Sequence, residues 1–287
     1  MKSISIIIPV FNEEGNILGL IKGIRANFIG KDYEIIVIDD GSTDETAKIA
    51  KDEGAGVIRH PYNIGNGAAI KTGIRNAKGE IIVLMDGDGQ HDPSNIHNLL
   101  EYIDQYDMVV GARIKDSASS FSRRFANKIY NIFASYVTHF KIEDLTSGFR
   151  VVKREVALKF LYLLPNTFSY PTTLTLAFLK AGRSIKYVPI KTLKRRGKSK
   201  IRPIHDGIRF LLIITKVTTL FSPFRIFLPV SGLLLWVGIG YYGYTYLAFH
   251  RFTNMSALLI TTSILIFMLG LISEQIAQLR LDRTEDI

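Results

Sequence analysis

Two aspartates leave the end of a short apolar run with one glycine between them. The run Ile81–Met85 has the composition of a buried strand, and the sequence DGDGQHDP follows it directly. Carboxylate oxygens at the spacing of Asp86 and Asp88 suit Mg²⁺ or Mn²⁺, and these ions bind phosphate oxygens in turn. Gly87 and its neighbour at position 89 allow the backbone to approach a ligand closely. The alternative is an acidic turn after a strand, but the adjacent apolar run and the following QHDP favour a metal site.

Two earlier apolar runs also end in polar residues. Ile4–Val10 is followed by Phe11, Asn12 and Glu13, and Tyr33–Asp39 is followed by DGST. Ser42 or Thr43 can cap the next helix, but a cap does not explain the second carboxylate, that of Asp40. That carboxylate can accept hydrogen bonds from a nucleobase or a ribose. Phe11 and Glu13 have the same two interpretations, a structural one and a part in base recognition.

Basic residues are concentrated in two segments. Residues 113–128 hold five basic side chains against one acid, and residues 191–202 hold seven basic side chains and no acid. Arginine suits bidentate phosphate binding, so Arg113, Arg124 and Arg196 are assigned to a phosphate site. Lys191 and Lys194 fit a solvated face or a headgroup-binding patch equally well.

One further side chain has no settled role. His91 follows the acidic motif directly. A metal ligand, a general base and a loop histidine without function all remain open for it.

The polar residues need a scaffold that brings them together, and the pattern of runs predicts one. Strands are expected at Ile4–Val10, Tyr33–Asp39, Val57–Arg59, Ile81–Met85 and Met108–Gly111, with helices near 14–27, 43–53 and 65–77. This alternation predicts an α/β fold with a mostly parallel sheet and helices on both faces. Ligands of such sheets bind beyond the carboxyl ends of the strands, where the three polar segments would converge.

The C-terminal part of the chain has a different character. Residues 226–249 and 252–273 carry no charge, and each run is long enough to cross the hydrocarbon layer of roughly 30 Å as a helix. His250 and Arg251 alone separate them, so we predict a transmembrane hairpin with both ends on one side. Lysine and arginine crowd the flanks, which places the N-terminal part in the cytoplasm. Residues 204–224 are apolar but contain charges, which favours a helix in the membrane interface.

These boundaries predict three parts: a cytoplasmic domain at 1–202, a juxtamembrane interfacial helix at 203–224, and at 225–287 the hairpin with a short tail. The chain has 287 residues, no cysteine and a net charge of +10. The cysteine count excludes disulfides, thiolate metal sites and cysteine nucleophiles. The surplus of basic residues indicates an anionic partner. Nucleic acid is not favoured, because the basic groups cluster beside the membrane segment and no nucleic-acid motif is present.

Five segments together resemble a known family. IIIPVFNEEGNI, VIDDGSTDET, NIGNGAAIKTGI, DGDGQHDP and TSGFRVVKRE resemble the inverting family 2 glycosyltransferases with a GT-A fold. The subgroup that they resemble is the dolichyl- and polyprenyl-phosphate sugar synthases, of the dolichyl-phosphate mannose synthase type. The resemblance covers residues 1–202, and the two-helix C-terminal anchor is similar to that of bacterial and archaeal members.

The resemblance implies a set of site residues. It implies nucleotide binding by Pro9, Phe11, Glu13, Ile38, Asp40, Asp86, Gly87 and Asp88. It implies a metal site at Asp86, Asp88 and Gln90. It implies lipid-phosphate binding by Arg123, Arg124, Lys128, Arg196 and Ser199, and catalytic roles for Asp88, Arg113, Arg124 and Lys200. Residues 146–150 (TSGFR) are either a turn before a helix or, as the resemblance implies, a segment that lines the acceptor side and supports the donor sugar.

The implied reaction is a metal-dependent transfer with inversion. A sugar would pass from a nucleotide diphosphate sugar (GDP-mannose or a UDP-hexose) to polyprenyl or dolichyl phosphate at the cytoplasmic membrane face, with Mg²⁺ or Mn²⁺ as cofactor. The protein would be an integral membrane protein, and the sequence leaves self-association open. The alternatives are an inactive membrane-anchored scaffold that binds nucleotide sugars, and a glycosyltransferase with a different membrane acceptor. Processive polysaccharide synthases of the same broad family usually carry a QxxRW motif after the acceptor site. The single tryptophan of this chain lies within a predicted span, so a processive synthase is disfavoured.

Overall fold

The fold was analysed in a computed structural model. It describes residues 3–30, 32–114, 138–166, 170–192 and 222–282, together with 128, 130–132, 134–136 and 219. The chain divides into two compact units, Met1–Arg202 and Pro203–Ile287. The predicted interfacial helix at 203–224 falls almost wholly outside the described residues.

A seven-stranded sheet forms the centre of the first unit. The strands are β1 (Ile4–Val10), β2 (Tyr33–Asp39), β3 (Gly56–Arg59), β4 (Ile81–Leu84), β5 (Met108–Arg113), β6 (Arg150–Lys153) and β7 (Ile185–Ile190). Their order across the sheet is β3-β2-β1-β4-β6-β5-β7. All neighbouring pairs are parallel except the two that involve β6. The predicted α/β class is confirmed, and the first five strands lie within two residues of their predicted ends.

Helices connect these strands and cover the sheet. They are α1 (Glu14–Asn27), α2 (Thr46–Asp52), α3 (Asn66–Asn76), α4 (Asn95–Leu100), α5 (Arg154–Lys159) and α6 (Tyr170–Lys180), with a 3₁₀ turn at Leu161–Leu163. The core between sheet and helices is built from branched aliphatic side chains. Ile6, Ile8 and Val83 from the sheet are completely buried, as are Ile17 and Ile21 from α1. Each such side chain contributes about 1.5–3 kcal/mol by leaving water.

The antiparallel strand β6 brings a further segment to the functional edge of the sheet. Because β6 runs against its neighbours, the residues that precede it lie at the edge where the parallel strands end. The segment Thr146–Phe149 is therefore carried to the same edge as the aspartate motif. It is followed by a strand, so the interpretation of this segment as a turn before a helix is wrong.

Two long helices make up the described part of the second unit. They are α7 (Phe224–Phe249) and α8 (Asn254–Asp282), joined by residues 250–253. Both are long and apolar enough to cross a membrane. At the connection, His250 takes a left-handed backbone conformation that ends α7, and the Thr253 hydroxyl accepts the backbone N–H of Ser256.

Small residues line the seam between these two helices. The buried positions of α7 are Ser231, Gly238 and Thr245, and buried small residues of α8 are Ser256, Ser263, Gly270 and Ala277. Both sets repeat every seven residues, which is the period of left-handed helix packing. Small side chains allow the helix backbones to approach closely, and Ser263 Oγ donates to the Ser231 carbonyl at 2.8 Å. At the other end of the seam, Glu274 accepts the first backbone N–H of α7, that of Phe224, at 3.1 Å.

Candidate active site

Hydrogen bonds tie together the loops that follow β1 and β2. Asn12 donates its backbone N–H to Ser42 Oγ at 2.9 Å, and its side-chain oxygen accepts the backbone N–H of Thr43 at 2.8 Å. Glu13 donates its backbone N–H to Thr46 Oγ1 at 2.8 Å. Asn12 takes a positive φ of 56° to make these contacts, a conformation that asparagine tolerates better than most residues. The two polar segments predicted to converge are thus bound to each other.

Asp40 is buried at the end of β2 and holds a neighbouring loop in place. Its Oδ1 lies 2.7 Å from His60 Nδ1 and accepts the backbone N–H of Ile64, while its Oδ2 accepts that of Gly65. His60 Nε2 lies 2.9 Å from Thr72 Oγ1 on α3, which completes a buried chain of polar contacts. The sequence did not indicate this structural role of Asp40, and its contact with a base or a ribose stays a prediction.

The motif at 86–90 follows β4, as predicted. Asp86 and Asp88 are both half-buried, and Asp88 Oδ1 accepts the backbone N–H of Gln90 at 3.2 Å. Gly87 lies so close to β1 that a Cβ there would approach Val10 Cγ1 to 2.6 Å. The loop that carries the two carboxylates therefore packs directly on the end of the central strand.

Arg113, at the end of β5, forms a bidentate ion pair. Its Nε and Nη2 donate to the two oxygens of Asp144 at 2.7 and 2.8 Å, and Nη2 also donates to Thr146 Oγ1. Burial alone would raise the pKa of Asp144, but the hydrogen bonds and charge of Arg113 outweigh burial and hold that pKa below its usual value. Burial alone would lower the pKa of Arg113, but Asp144 raises it, with smaller contributions from Asp86 and Asp88.

Arg150 is completely buried beneath the segment Thr146–Phe149. Its Nε donates to the Ser147 carbonyl at 2.7 Å, its Nη2 to the Leu145 carbonyl at 3.1 Å, and its Nη1 to Thr175 Oγ1 at 2.7 Å. Burial lowers its pKa, and the charges of Asp144 and Asp86 are among the groups that oppose this shift. A guanidinium remains protonated at neutral pH, so Arg150 brings a positive charge to the interior near the site.

His91 is a buried residue, with 6% of its surface exposed. Its ring stacks on Phe149 with the ring centroids 5.0 Å apart, and burial lowers its pKa to about 4 despite the nearby charge of Asp88. A neutral ring with so low a pKa is a poor general base for a reaction at neutral pH. The stack instead links the loop after β4 to the segment before β6.

The predicted site residues fall into three groups. Pro9 and Ile38 are buried in β1 and β2, whereas Phe11 is exposed to 45% and Glu13 accepts a hydrogen bond from Asn16 Nδ2 at 2.7 Å. Asp40, Asp86, Gly87, Asp88, Gln90 and Arg113 all lie at the same edge of the sheet. Lys128 is exposed, but Arg123, Arg124, Arg196, Ser199 and Lys200 lie outside the described residues, and their roles stay predictions.

The donor atoms at this edge suit a hard divalent cation. Among the described residues no group of three or more His, Cys, Asp or Glu side chains could hold a metal ion. Two aspartates and the Gln90 amide instead match Mg²⁺, which is commonly bound by one or two carboxylates together with substrate phosphates. Asp86 packs directly against the backbone of Gly148, because a Cβ on that glycine would lie 2.9 Å from Asp86 Cγ.

The sheet, its aspartate loop and the apolar hairpin have counterparts in known proteins. Residues 5–161 match the family described as Glycosyl transferase family 2, and residues 222–279 match the GtrB C-terminal hairpin. Because the first match covers more than half of the chain, the protein belongs to glycosyltransferase family 2. The hairpin match and the two apolar helices together indicate anchoring in a membrane.

Two curated proteins are similar to most of this chain. An uncharacterised protein of Methanocaldococcus jannaschii is 33% identical over 75% of this chain and 92% of its own. The undecaprenyl-phosphate 4-deoxy-4-formamido-L-arabinose transferase of Pectobacterium atrosepticum is 28% identical over 98% of this chain and 90% of its own. This second similarity includes the hairpin, so it extends over both units.

Solved structures share the fold of the first unit. Glucosyl-3-phosphoglycerate synthase of Mycobacterium tuberculosis, in complex with Mn²⁺, UDP and glucosyl-3-phosphoglycerate, has a TM-score of 0.61. The two are 22% identical, and the similarity covers 76% of this chain and 79% of that one. At this identity the likeness establishes the fold alone. The GT-A-like architecture that the sequence predicted is thereby confirmed.

Three site residues were missed by sequence reasoning. Asp144 and His60 act through partners far along the chain: Arg113 and Asp144 are 31 positions apart, and Asp40 and His60 are 20 positions apart. Arg150 was predicted only as part of the segment 146–150, and its burial as a charged group was not foreseen. The signal that could have suggested it is an arginine followed by two valines, because a charged residue at the start of a buried strand needs internal partners.

Proposed function

We propose that this protein transfers a sugar, with inversion, from a nucleotide diphosphate sugar to a polyprenyl phosphate at a membrane surface. The observation that carries the proposal is the cluster of Asp86, Asp88 and Arg113 at one edge of a family 2 glycosyltransferase sheet, in a chain that ends in an apolar hairpin. The carboxylates would hold a divalent cation, and the arginine would face the phosphates.

The donor would bind across the ends of β1, β2 and β4. Pro9, Phe11, Glu13, Ile38 and Asp40 would contact the nucleoside, and the loop 86–90 would lie at the diphosphate. Asp86, Asp88 and Gln90 would hold Mg²⁺ or Mn²⁺, which when bound neutralises charge on the leaving diphosphate. GDP-mannose and UDP-hexoses are the donors to test first.

The acceptor would approach from the side of the basic segments. Arg123, Arg124, Lys128, Arg196 and Ser199 would bind the lipid phosphate, and Lys200 would act near the diphosphate. A phosphate oxygen then attacks the anomeric carbon on the face opposite the leaving group. A phosphate monoester is already ionised at neutral pH, so the step needs no strong base, and positioning and electrostatics supply the rate. Basic side chains would screen the repulsion between the two phosphates.

Arg113 would act in a fixed orientation. Two of its three guanidinium nitrogens are bound to Asp144 and Thr146, while its Nη1 makes no hydrogen bond to any described residue. Because Asp144 holds the planar group rigidly, the charge of Arg113 needs little reorganisation when the diphosphate leaves.

The proposal is tested with the purified full chain in detergent. A thermal-shift panel of GDP- and UDP-sugars with Mn²⁺ should single out one donor, and the radiolabelled sugar should then pass to undecaprenyl phosphate. EDTA should stop the transfer, and Mn²⁺ or Mg²⁺ should restore it. Transfer that persists in EDTA would refute the metal dependence, and donor binding without transfer to any lipid phosphate would favour the scaffold alternative.

The proposed orientation places the first unit and the C-terminal tail in the cytoplasm. It is supported by Arg280 and Arg283, which follow the second uncharged run, and by the basic segment before the first run. Because the chain has no cysteine, single cysteines are clean probes. An impermeant maleimide on intact cells should label Phe252→Cys, in the connection between the helices, and should not label Ser94→Cys. The reverse pattern would overturn the orientation.

A further inference from the structure

The buried guanidinium of Arg150 has no part in the proposed reaction, and its position is unusual. It starts β6, has no exposed surface, and forms no ion pair with a described carboxylate. Its hydrogen bonds go to the carbonyls of Leu145 and Ser147, to the hydroxyl of Thr175 and to the sulfur of Met108. A buried charge without a direct counter-ion is costly, so its partners indicate what it stabilises.

Those partners fix the backbone of one short segment. The Leu145 and Ser147 carbonyls belong to residues 145–148, and Ser147 Oγ also donates to the Gly111 carbonyl at 2.7 Å. The Tyr170 hydroxyl donates to the Gly148 carbonyl at 3.3 Å. All of these contacts are made by buried groups, so the interior of the sheet unit holds the segment in place.

The same segment also lies against the aspartate motif. A Cβ on Gly148 would lie 2.9 Å from Asp86 Cγ and would also overlap both carboxylate oxygens. Real Cβ atoms do not approach other atoms so closely, so the glycine permits the contact. The Asp86 carboxylate is thus bounded on one side by the Gly148 backbone.

We propose that Arg150 is a positioning residue, which holds residues 145–148 so that the Gly148 backbone sets the orientation of the Asp86 carboxylate. This inference rests on the proposed function, because it assigns Asp86 to the cation and the diphosphate. The guanidinium fork holds two carbonyls at once, and its charge attracts Asp86 through the protein interior. Loss of the fork lets the segment shift, and the carboxylate then loses its orientation toward the cation.

The test measures Mn²⁺ binding rather than turnover. Electron paramagnetic resonance of Mn²⁺ is recorded on the full chain in detergent, with saturating UDP or GDP, whichever raises the melting temperature of the unsubstituted protein. Groups that orient metal ligands change affinity by about 10- to 100-fold when they are replaced. Arg150→Met should weaken Mn²⁺ binding within that range, and Arg150→Lys, which keeps the charge without the fork, should recover part of the loss.

A steric substitution tests the other half of the inference. Gly148→Ala places a methyl group against Asp86 and should weaken Mn²⁺ binding at least as much as Arg150→Met. Two matched controls should bind Mn²⁺ normally. Lys153→Met removes a cation from the other end of β6, and Gly19→Ala adds a methyl group on α1 where no atom lies within 4 Å.

The outcomes separate this inference from the proposed function. If the unsubstituted protein binds no Mn²⁺ with either nucleotide, the proposed function fails. If it binds Mn²⁺ and a folded Arg150→Met binds equally well, the positioning role is overturned. If Arg150→Met does not fold, Arg150→Lys and Gly148→Ala decide. Normal Mn²⁺ binding by both would overturn the inference, and weakened binding by both would support it.

Discussion

The two units of this chain bury opposite kinds of residue. In the sheet unit, large branched side chains such as Ile6 and Ile8 are buried completely. In the hairpin the seam consists of serine, glycine, threonine and alanine, while Trp236 and Leu247 are exposed to 78% and 81%. Water drives large apolar groups inward, whereas lipid gives them no reason to leave the surface, and helix pairs in lipid associate through small residues and close packing. One chain therefore follows two packing rules, set by two solvents.

The two units also differ in the hydrogen bonds that their buried polar groups make. Buried charged groups lie at one edge of the sheet in the first unit, and each makes several hydrogen bonds of its own. Asp40, Asp144 and Arg150 are examples. The hairpin seam has a neutral hydroxyl-to-carbonyl bond from Ser263 to Ser231, and the carboxylate of Glu274 accepts the Phe224 N–H at the start of α7. Substitutions in the two regions should accordingly have different kinds of effect.

The largest expected effect is on activity and leaves the hairpin untouched. Asp88→Asn removes a charge from the proposed cation site and should reduce sugar transfer by about 10³-fold, the magnitude typical of a lost electrostatic contact in the transition state. Membrane insertion, followed by carbonate extraction, should not change. A variant with normal transfer rates would contradict the role of Asp88.

A smaller effect compares a buried with a lipid-facing side chain. Ile8→Ala leaves a cavity in the central strand and should cost about 2–5 kcal/mol of unfolding free energy. Trp236→Ala removes a larger side chain from an exposed position and should stay within about 0.5 kcal/mol. Denaturant unfolding in detergent measures both. Equal costs would show that the hairpin surface is packed against protein rather than lipid.

The seam of the hairpin offers a matched pair of glycines. A Cβ on Gly238 would lie 3.0 Å from Leu259 Cβ, whereas nothing lies within 4 Å of one on Gly240. Gly238→Val should therefore destabilise the helix pair by about 1–3 kcal/mol through overpacking. Gly240→Val should be tolerated. Limited proteolysis of the hairpin in detergent distinguishes them, and equal cleavage of both would contradict the seam.

The smallest expected effect is a pH dependence confined to the sheet unit. Burial would raise the pKa of Asp107, but hydrogen bonds from Ser184, with the charges of Lys153 and Arg183, outweigh burial and lower it. A lowered pKa stabilises the fold above the unfolded value of about 3.9 and ceases to do so as the pH falls through the folded value. Asp107→Asn should cost about 1 kcal/mol at pH 7. The difference from the unsubstituted protein should shrink as the pH falls through the lowered pKa of Asp107, and a constant difference at all pH values would refute the linkage.

The sequence alone predicted strands β1 to β5 but not the antiparallel strand β6 or the parallel strand β7. Strands β1 to β5 are marked by runs of isoleucine and valine, whose burial pattern is local. The four residues of β6 include two charged ones, and β7 contains Pro189. Their place in the sheet depends on pairing with β4 and β5, which no local pattern encodes.

The candidate site shows the same division. The position of Asp86 and Asp88 at this edge was predictable, because they directly follow an apolar run that predicts a buried strand. The bond between Arg113 and Asp144 and the buried position of Arg150 were not, because arginine is usually exposed and its partner is chosen by the fold. Sequence motifs thus indicated which atoms are presented at the edge, and the tertiary structure was needed to see what holds them.

The chain leaves the sheet at Arg113 and returns at Arg150 on the adjacent strand, with Ser147 bonded to Gly111 and Asp144 to Arg113 at the point of return. These contacts join the two ends of the segment that connects β5 to β6. The pairing of β5 with β6 is therefore held by contacts that lie outside residues 115–140.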